Sequence, residues 1–235
     1  MRPARKIVKS ITRGRAGRVI VPLAFEVAAQ ISARPLDEFR ADPTQLTNGL
    51  CELQKAINAD GIICALGDEM EFQSAANSEL DFNHIRNHGS VCASLLACTR
   101  LRQMFGDEVA LVAGLTGPNS LSRQFNASEA DCGLFFTQLV TAFCEAGGDI
   151  LMIMEPENFI IDAAWKDGVI TARNVANFHQ VLLMSWNESF LPTPVKQSVL
   201  LPSKNGSGII TTDSILPHDS DISTLAQFVV GCREA

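Results

Sequence analysis

The chain has 235 residues, 46% of them hydrophobic and 19% charged, and a formal charge of −7. Such a composition can bury a sizeable core and excludes a disordered chain. No apolar run approaches the ~18–20 residues that a bilayer demands, so a membrane-spanning chain is excluded as well.

The length suits a single domain over residues 1–235, as one α/β barrel would use. Residues 1–18 carry Arg2, Arg5, Lys6, Lys9, Arg13, Arg15 and Arg18 and no acid. An Arg-rich transit segment and a nucleic-acid arm are two readings of this start. A solvated basic helix is the preferred one, because Ile7, Val8 and Ile11 fall at helical spacing. The other 217 residues hold 12 basic against 26 acidic side chains, which argues against nucleic acid as the main partner.

Val19 to Leu23 reads as a first strand. Asp42-Pro43 then opens a helix through Leu46, Leu50, Leu53 and Ile57, with Asp as N-cap and Pro in the first turn. Asp60 to Leu66 is a second, buried strand, followed by a polar stretch and a helix over about Val91 to Phe105. Val109 to Ala113 is a third strand. Ser128-x-x-Asp131 resembles a capping box and starts a helix that Gly147-Gly148 ends. Asp149 to Met154 is a fourth strand, and a helix is expected over roughly Thr171 to Met184. Ser198 to Leu201 and Gly208 to Thr211 are two more strand candidates, and a last helix covers about Ile222 to Cys232. Strands apolar on both faces and alternating with helices predict a parallel sheet covered by helices, as a barrel or an open doubly wound sheet. In either architecture, functional residues gather at the C-terminal ends of the strands.

Strand two runs into Gly67-Asp68-Glu69-Met70-Glu71, three carboxylates behind a glycine. A carboxylate at such a mouth can act as acid or base or bind a cation, although acids are also favoured at helix N-termini. Asp68 is the leading catalytic candidate, with Glu71 beside it. Strand three runs into Gly114-Leu-Thr-Gly117-Pro118-Asn119-Ser120, where backbone amides can approach a ligand or simply make a βα turn. Gly117, Pro118 and Asn119 are therefore candidate substrate contacts. Strand four runs into Glu155-Pro156-Glu157-Asn158, and Glu155 is a second active-site carboxylate or a capping acid. His84 and His88 are one helical turn apart, a metal-ligand spacing, but no third ligand lies near them in a polar segment. His179 reads as a packed or surface histidine, and His218 follows the last strand as a candidate contact. No GxGxxG, P-loop or GxSxG occurs. Seven cysteines without a CxxC pair (51, 64, 92, 98, 132, 144 and 232) read as free, mostly buried thiols. With no secretory signal visible, they predict a reducing, cytoplasmic setting.

Taken together, these pieces resemble the uroporphyrinogen decarboxylase (URO-D) superfamily, in order and over nearly the whole chain. Ile7 to Leu23 resembles its opening helix and first strand. Arg34 to Phe39 with Asp42-Pro43 resembles the corrinoid-dependent methyltransferase branch. Asp60 to Glu69 resembles the strand that ends in the family's active-site aspartate, here Asp68. Gly114 to Leu121 is similar to its Gly-x-Pro-x-Thr-Leu turn, with Ser120 for Thr. Ala146 to Glu155 is similar to its Ala-Gly-Ala-Asp strand, and Ser207 to Phe228 resembles its closing strand, turn and helix.

The resemblance implies an α/β fold, a (β/α) TIM-type barrel of the URO-D type. Six strand candidates for eight places make that barrel shortened or incomplete, with the missing part between about Met184 and Ser198, and imply a homo-oligomer or a partner subunit that completes it. It implies an enzyme, closer to the methyltransferases than to true uroporphyrinogen decarboxylases, that transfers methyl on a small or corrinoid-linked substrate. The alternatives are a decarboxylase of a tetrapyrrole-like or other carboxylated substrate and a non-catalytic corrinoid-, tetrapyrrole- or partner-binding relative. Two departures bear on this choice. The arginines that the decarboxylases place after the first strand are replaced by Phe25-Glu26-Val27-Ala28-Ala29. The methyltransferases' zinc-binding His-x-Cys is absent, and their late cysteine falls at Ser214, which joins His218 as a candidate substrate contact.

Overall fold

A computed structural model of the chain describes residues 3–66, 70–75, 79–156, 163–186, 208–212 and 215–234. In chain order the elements are α1 (Ala4–Thr12), β1 (Arg18–Ile20), α2 (Phe25–Ile31), α3 (Leu36–Ala41), α4 (Pro43–Ile57) and β2 (Gly61–Leu66). Next come α5 (Met70–Gln73), α6 (Phe82–Asn87), α7 (Gly89–Phe105), β3 (Ala110–Thr116), α8 (Pro118–Phe125), α9 (Glu129–Glu145) and β4 (Ile150–Met154). The chain ends in α10 (Ala163–Phe178), β5 (Leu182–Trp186), β6 (Gly208–Ile210) and α11 (Ile222–Glu234).

Every ladder is parallel. β2, β3, β4 and β5 pair in that order, and β1 pairs with β6 from Arg18↔Gly208 to Ile20↔Ile210. The two sheets meet at Asp60, which donates its N–H to Ile20 O at 3.0 Å and accepts from Ile20 N–H through Oδ2 at 3.0 Å. β2 and β3 are buried along their whole length, as strands covered on both faces must be. Among the described residues no ladder joins β5 to β6, and no closed barrel is seen. No helix among them is long and apolar enough to cross a membrane.

Local chemistry explains most boundaries. Asp42 Oδ1 accepts from Thr44 N–H (2.7 Å) and Gln45 N–H (3.1 Å), which satisfies two of the free amides that open α4. Ser128 accepts from Asp131 N–H at 3.1 Å and donates to its carboxylate at 2.6 Å. The basic start forms α1, with Ala4 and Val8 buried. Its first amides donate to the Glu108 and Asp107 carbonyls at 3.2 Å, and the helix packs against β1, β3 and β5. It therefore covers the end of the sheet where the strands begin.

Three expected boundaries are corrected. β1 stops at Ile20 rather than Leu23, because Pro22 has no N–H to donate to the ladder. β3 runs on to Thr116, so Gly114 is a strand residue and not part of the turn. The helix expected over Thr171 to Met184 is Ala163–Phe178, and Leu182–Trp186 is a strand. Gln180, in the left-handed region at φ 60°, breaks the two apart, and Val181 N–H reaches back to Ala176 O at 2.8 Å. Short apolar runs are ambiguous in period, and here the turn decides. The strand candidate Ser198 to Leu201 lies outside the described residues.

Candidate functional site

The C-terminal strand ends bring two of the expected carboxylates, Glu71 and Glu155, to one end of the sheet, and both are held by protein partners. Glu71, on the short α5 beyond β2, is fully buried. Thr116, the last residue of β3, donates to it from Oγ1 (2.6 Å to Oε2) and from N–H (3.2 Å to Oε1). Two donors on one buried carboxylate satisfy a charge that would otherwise be costly.

Glu155, just past β4, reaches across to the start of α8. Its Oε1 accepts from Asn119 N–H at 2.9 Å, and its Oε2 from Ser120 N–H at 3.1 Å and Ser120 Oγ at 2.7 Å. Trp165 Nε1 of α10 donates to Oε1 at 3.0 Å. A glutamate from a different strand thus caps α8, where exposed amides and the helix dipole favour an anion. The same contact explains Gly117: a Cβ there would stand 2.2 Å from Glu155 Oε1.

This geometry changes what the β3–α8 turn can offer a ligand. Gly117 N–H donates to Met154 O at 2.9 Å, Pro118 has no N–H, and the amides of Asn119 and Ser120 are taken by Glu155. The expected backbone donors are engaged within the protein. What remains at the turn is the Asn119 side chain, whose Oδ1 is buried with no hydrogen-bond partner among the described residues.

The other candidates are scattered. Asp68 and Ser214 lie outside the described residues, although β2 ends two positions before Asp68. His218 is exposed in the turn between β6 and α11. His84 and His88 belong to the outer helix layer, where α6 packs on α7 and α9. Their rings stack at 4.0 Å, and His88 Nδ1 lies 2.8 Å from His84 O. Among the described residues no group of three His, Cys, Asp or Glu could hold a metal. His179 follows α10 beside Phe178, with ring centroids 5.3 Å apart.

Sequence reasoning missed Thr116, Ser120 as a Glu155 ligand, and Trp165. The one usable signal was Pro118, which marks the first turn of a helix and hence a set of amides in want of an acceptor. The identity of that acceptor, 35 residues away, had no local signal.

The surroundings of the segment after β1 and of the cysteines follow from the same packing. After β1, the segment Phe25–Ala29 forms the buried side of α2, and the cation near it, Arg40, is spent on Glu26 at 3.6 Å. All seven cysteines are described, and none follows the C-terminal end of a strand: they lie in α4, within β2, and in α7, α9 and α11. Burial pushes Cys132 and Cys232 up to about 11 and Cys144 up to about 12, so these thiols resist becoming thiolate ligands. Cys98 is raised by its hydrogen bond with Cys64 and then by burial. Oxygen donors at the strand ends and thiols elsewhere do not fit a thiolate-held zinc. Elemental mass spectrometry of the purified protein is expected to find well under one zinc per ten chains. Stoichiometric zinc would overturn this reading of the donor set.

No protein-family model matches the chain, and no curated protein matches it in sequence. Among solved structures, a methyltransferase from Methanosarcina mazei shares the fold, with a TM-score of 0.72 at 9% identity over 98% of this chain and 98% of that chain.

Proposed function

We propose that this chain is an enzyme of the URO-D type whose strands close as a (β/α) barrel and which transfers a methyl group at the strand C-terminal ends. The reading rests on one arrangement: two parallel sheets, β1–β6 and β2–β3–β4–β5, that meet at Asp60, with the carboxylates of Glu71 and Glu155 at the C-terminal ends of the larger one. The fold shared with a methyltransferase supports it. So does the scarcity of cations after β1, which a substrate with many carboxylates would require.

In this reading Asp68 is the acid/base. It takes the proton from a heteroatom of a small acceptor as that atom's lone pair attacks the methyl carbon. The donor, a methylated corrinoid brought as substrate, loses its bond to that carbon and keeps the electron pair. Glu71 and Glu155 are positioning residues that fix the ends of β3 and α8, and Asn119 offers its side-chain oxygen to substrate. A non-catalytic relative is the second reading, favoured by the internal engagement of both described carboxylates.

The test is anaerobic incubation with methylcobalamin and a small thiol, following loss of the methyl–cobalt absorbance. Wild type is expected to turn over, and Asp68→Asn to be slower by about 10²–10⁴-fold with an unchanged melting curve. Binding of methylcobalamin without turnover by either protein would favour the non-catalytic relative. Carbon dioxide released from uroporphyrinogen would favour the decarboxylase.

A further inference from the structure

The basic side chains of residues 3–18 are not absorbed by the site above, and α1 lies at the opposite end of the sheet. Their partners are few. Arg5 is taken by Asp107 (3.5 Å) and Asp149 (3.0 Å), and Arg18 donates from Nη2 to Arg233 O at 3.2 Å. Lys6, Lys9, Arg13 and Arg15 face no carboxylate within ion-pair distance among the described residues, and Lys6, Arg13 and Arg15 are exposed.

A groove of about 480 Å³ opens between α1 and the entry to β1, lined by Pro3, Lys6, Ile7, Ala16, Gly17 and Arg18. Its floor is apolar and closed, since a Cβ on Gly17 would meet Ile7 Cγ2 at 2.7 Å. Lys6 stands on the α1 wall and Arg18 on the opposite one, while Arg13, the C-cap of α1, lies outside the lining. An apolar floor with cations on both walls suits a ligand with an organic body and several anionic oxygens.

We infer that the α1–β1 groove binds a small organic polyanion, its body on Ile7, Pro3 and Ala16 and its phosphate or carboxylate oxygens on Lys6 and Arg18. Size follows from charge. The rest of the chain carries 26 acidic against 12 basic groups, so a long polyanion laid across the molecule meets repulsion once it leaves the groove. A membrane surface is disfavoured because the apolar residues Ala4 and Val8 of α1 face the core.

The experiment is calorimetric titration of the full chain with ATP, inorganic tripolyphosphate and a 20-base-pair DNA duplex as probes. ATP is expected to saturate one site, weaken with added salt, and lose at least tenfold in affinity in Lys6→Glu. Lys6 is exposed, so the melting curve should not move. Ala16→Trp fills the groove and is expected to weaken ATP at least tenfold while leaving tripolyphosphate within threefold. No saturable ATP binding, or full affinity in Lys6→Glu, overturns the proposal. Duplex binding tighter than ATP also overturns it, in favour of a nucleic-acid surface.

Discussion

Asp149→Asn is expected to destabilise the fold by about 3–5 kcal/mol, the range found when one partner of a buried ion pair is removed. Asp149 is 3% exposed, at the entry to β4. It ties three parts of the chain together: Arg102 Nη2 of α7 bonds to Oδ2, Leu111 N–H of β3 donates to Oδ2 at 2.9 Å, and Arg5 Nε of α1 lies 3.0 Å from Oδ1. Burial pushes its pKa up, and the guanidinium of Arg102, the Leu111 amide and Arg5 pull it back. An amide in its place keeps the shape but leaves two guanidiniums facing a neutral group. Arg102 cannot turn to water without further loss, because it also donates to Gly147 O (3.0 Å), Val109 O (3.3 Å) and Gly106 O. Urea denaturation measures the cost, and a loss below about 1 kcal/mol would show that the pair contributes little beyond its own desolvation.

The second large effect is at the β3–α8 turn. Gly117→Ala is expected to cost about 2–4 kcal/mol, since the new Cβ displaces the Glu155 carboxylate and uncaps α8. Glu155→Ala alone should cost a similar amount, because the buried or half-buried donors of Asn119, Ser120 and Trp165 lose their acceptor. The two costs share one cause. The double variant should therefore be less damaging than the sum by at least about 1 kcal/mol. Trp165 emission reports the same event, since its indole N–H loses the carboxylate in both single variants. Additive losses, or a Trp165 spectrum unmoved in Glu155→Ala, would contradict the coupling of turn and carboxylate.

Much of the architecture is carried by local chemistry and was therefore legible along the chain. Asp42-Pro43 and Ser128 mark helix starts because their side chains bond amides two or three residues ahead. The apolar runs of β2 to β4 announce a covered parallel sheet because both their faces must be dry. The strand-end rule likewise points to Glu71 and Glu155.

Other features depend on partners that are distant in sequence. β5 looked like the end of a helix until β4 supplied a ladder from Ile150↔Leu182 to Met154↔Trp186. Glu71 and Glu155 looked free to meet a ligand, yet Thr116 lies 45 residues from one, and Asn119 36 from the other. A carboxylate in a sequence shows its charge and not its acceptor count. Most element types, the parallel sheet and the end of it that carries the acids follow from the chain alone, because propensity, capping and period act over a few residues. The identity of β5, the acids spent on amides and the groove beside Lys6 follow from packing, because ladders, burial and hydrogen-bond partners are set by residues far apart in the chain.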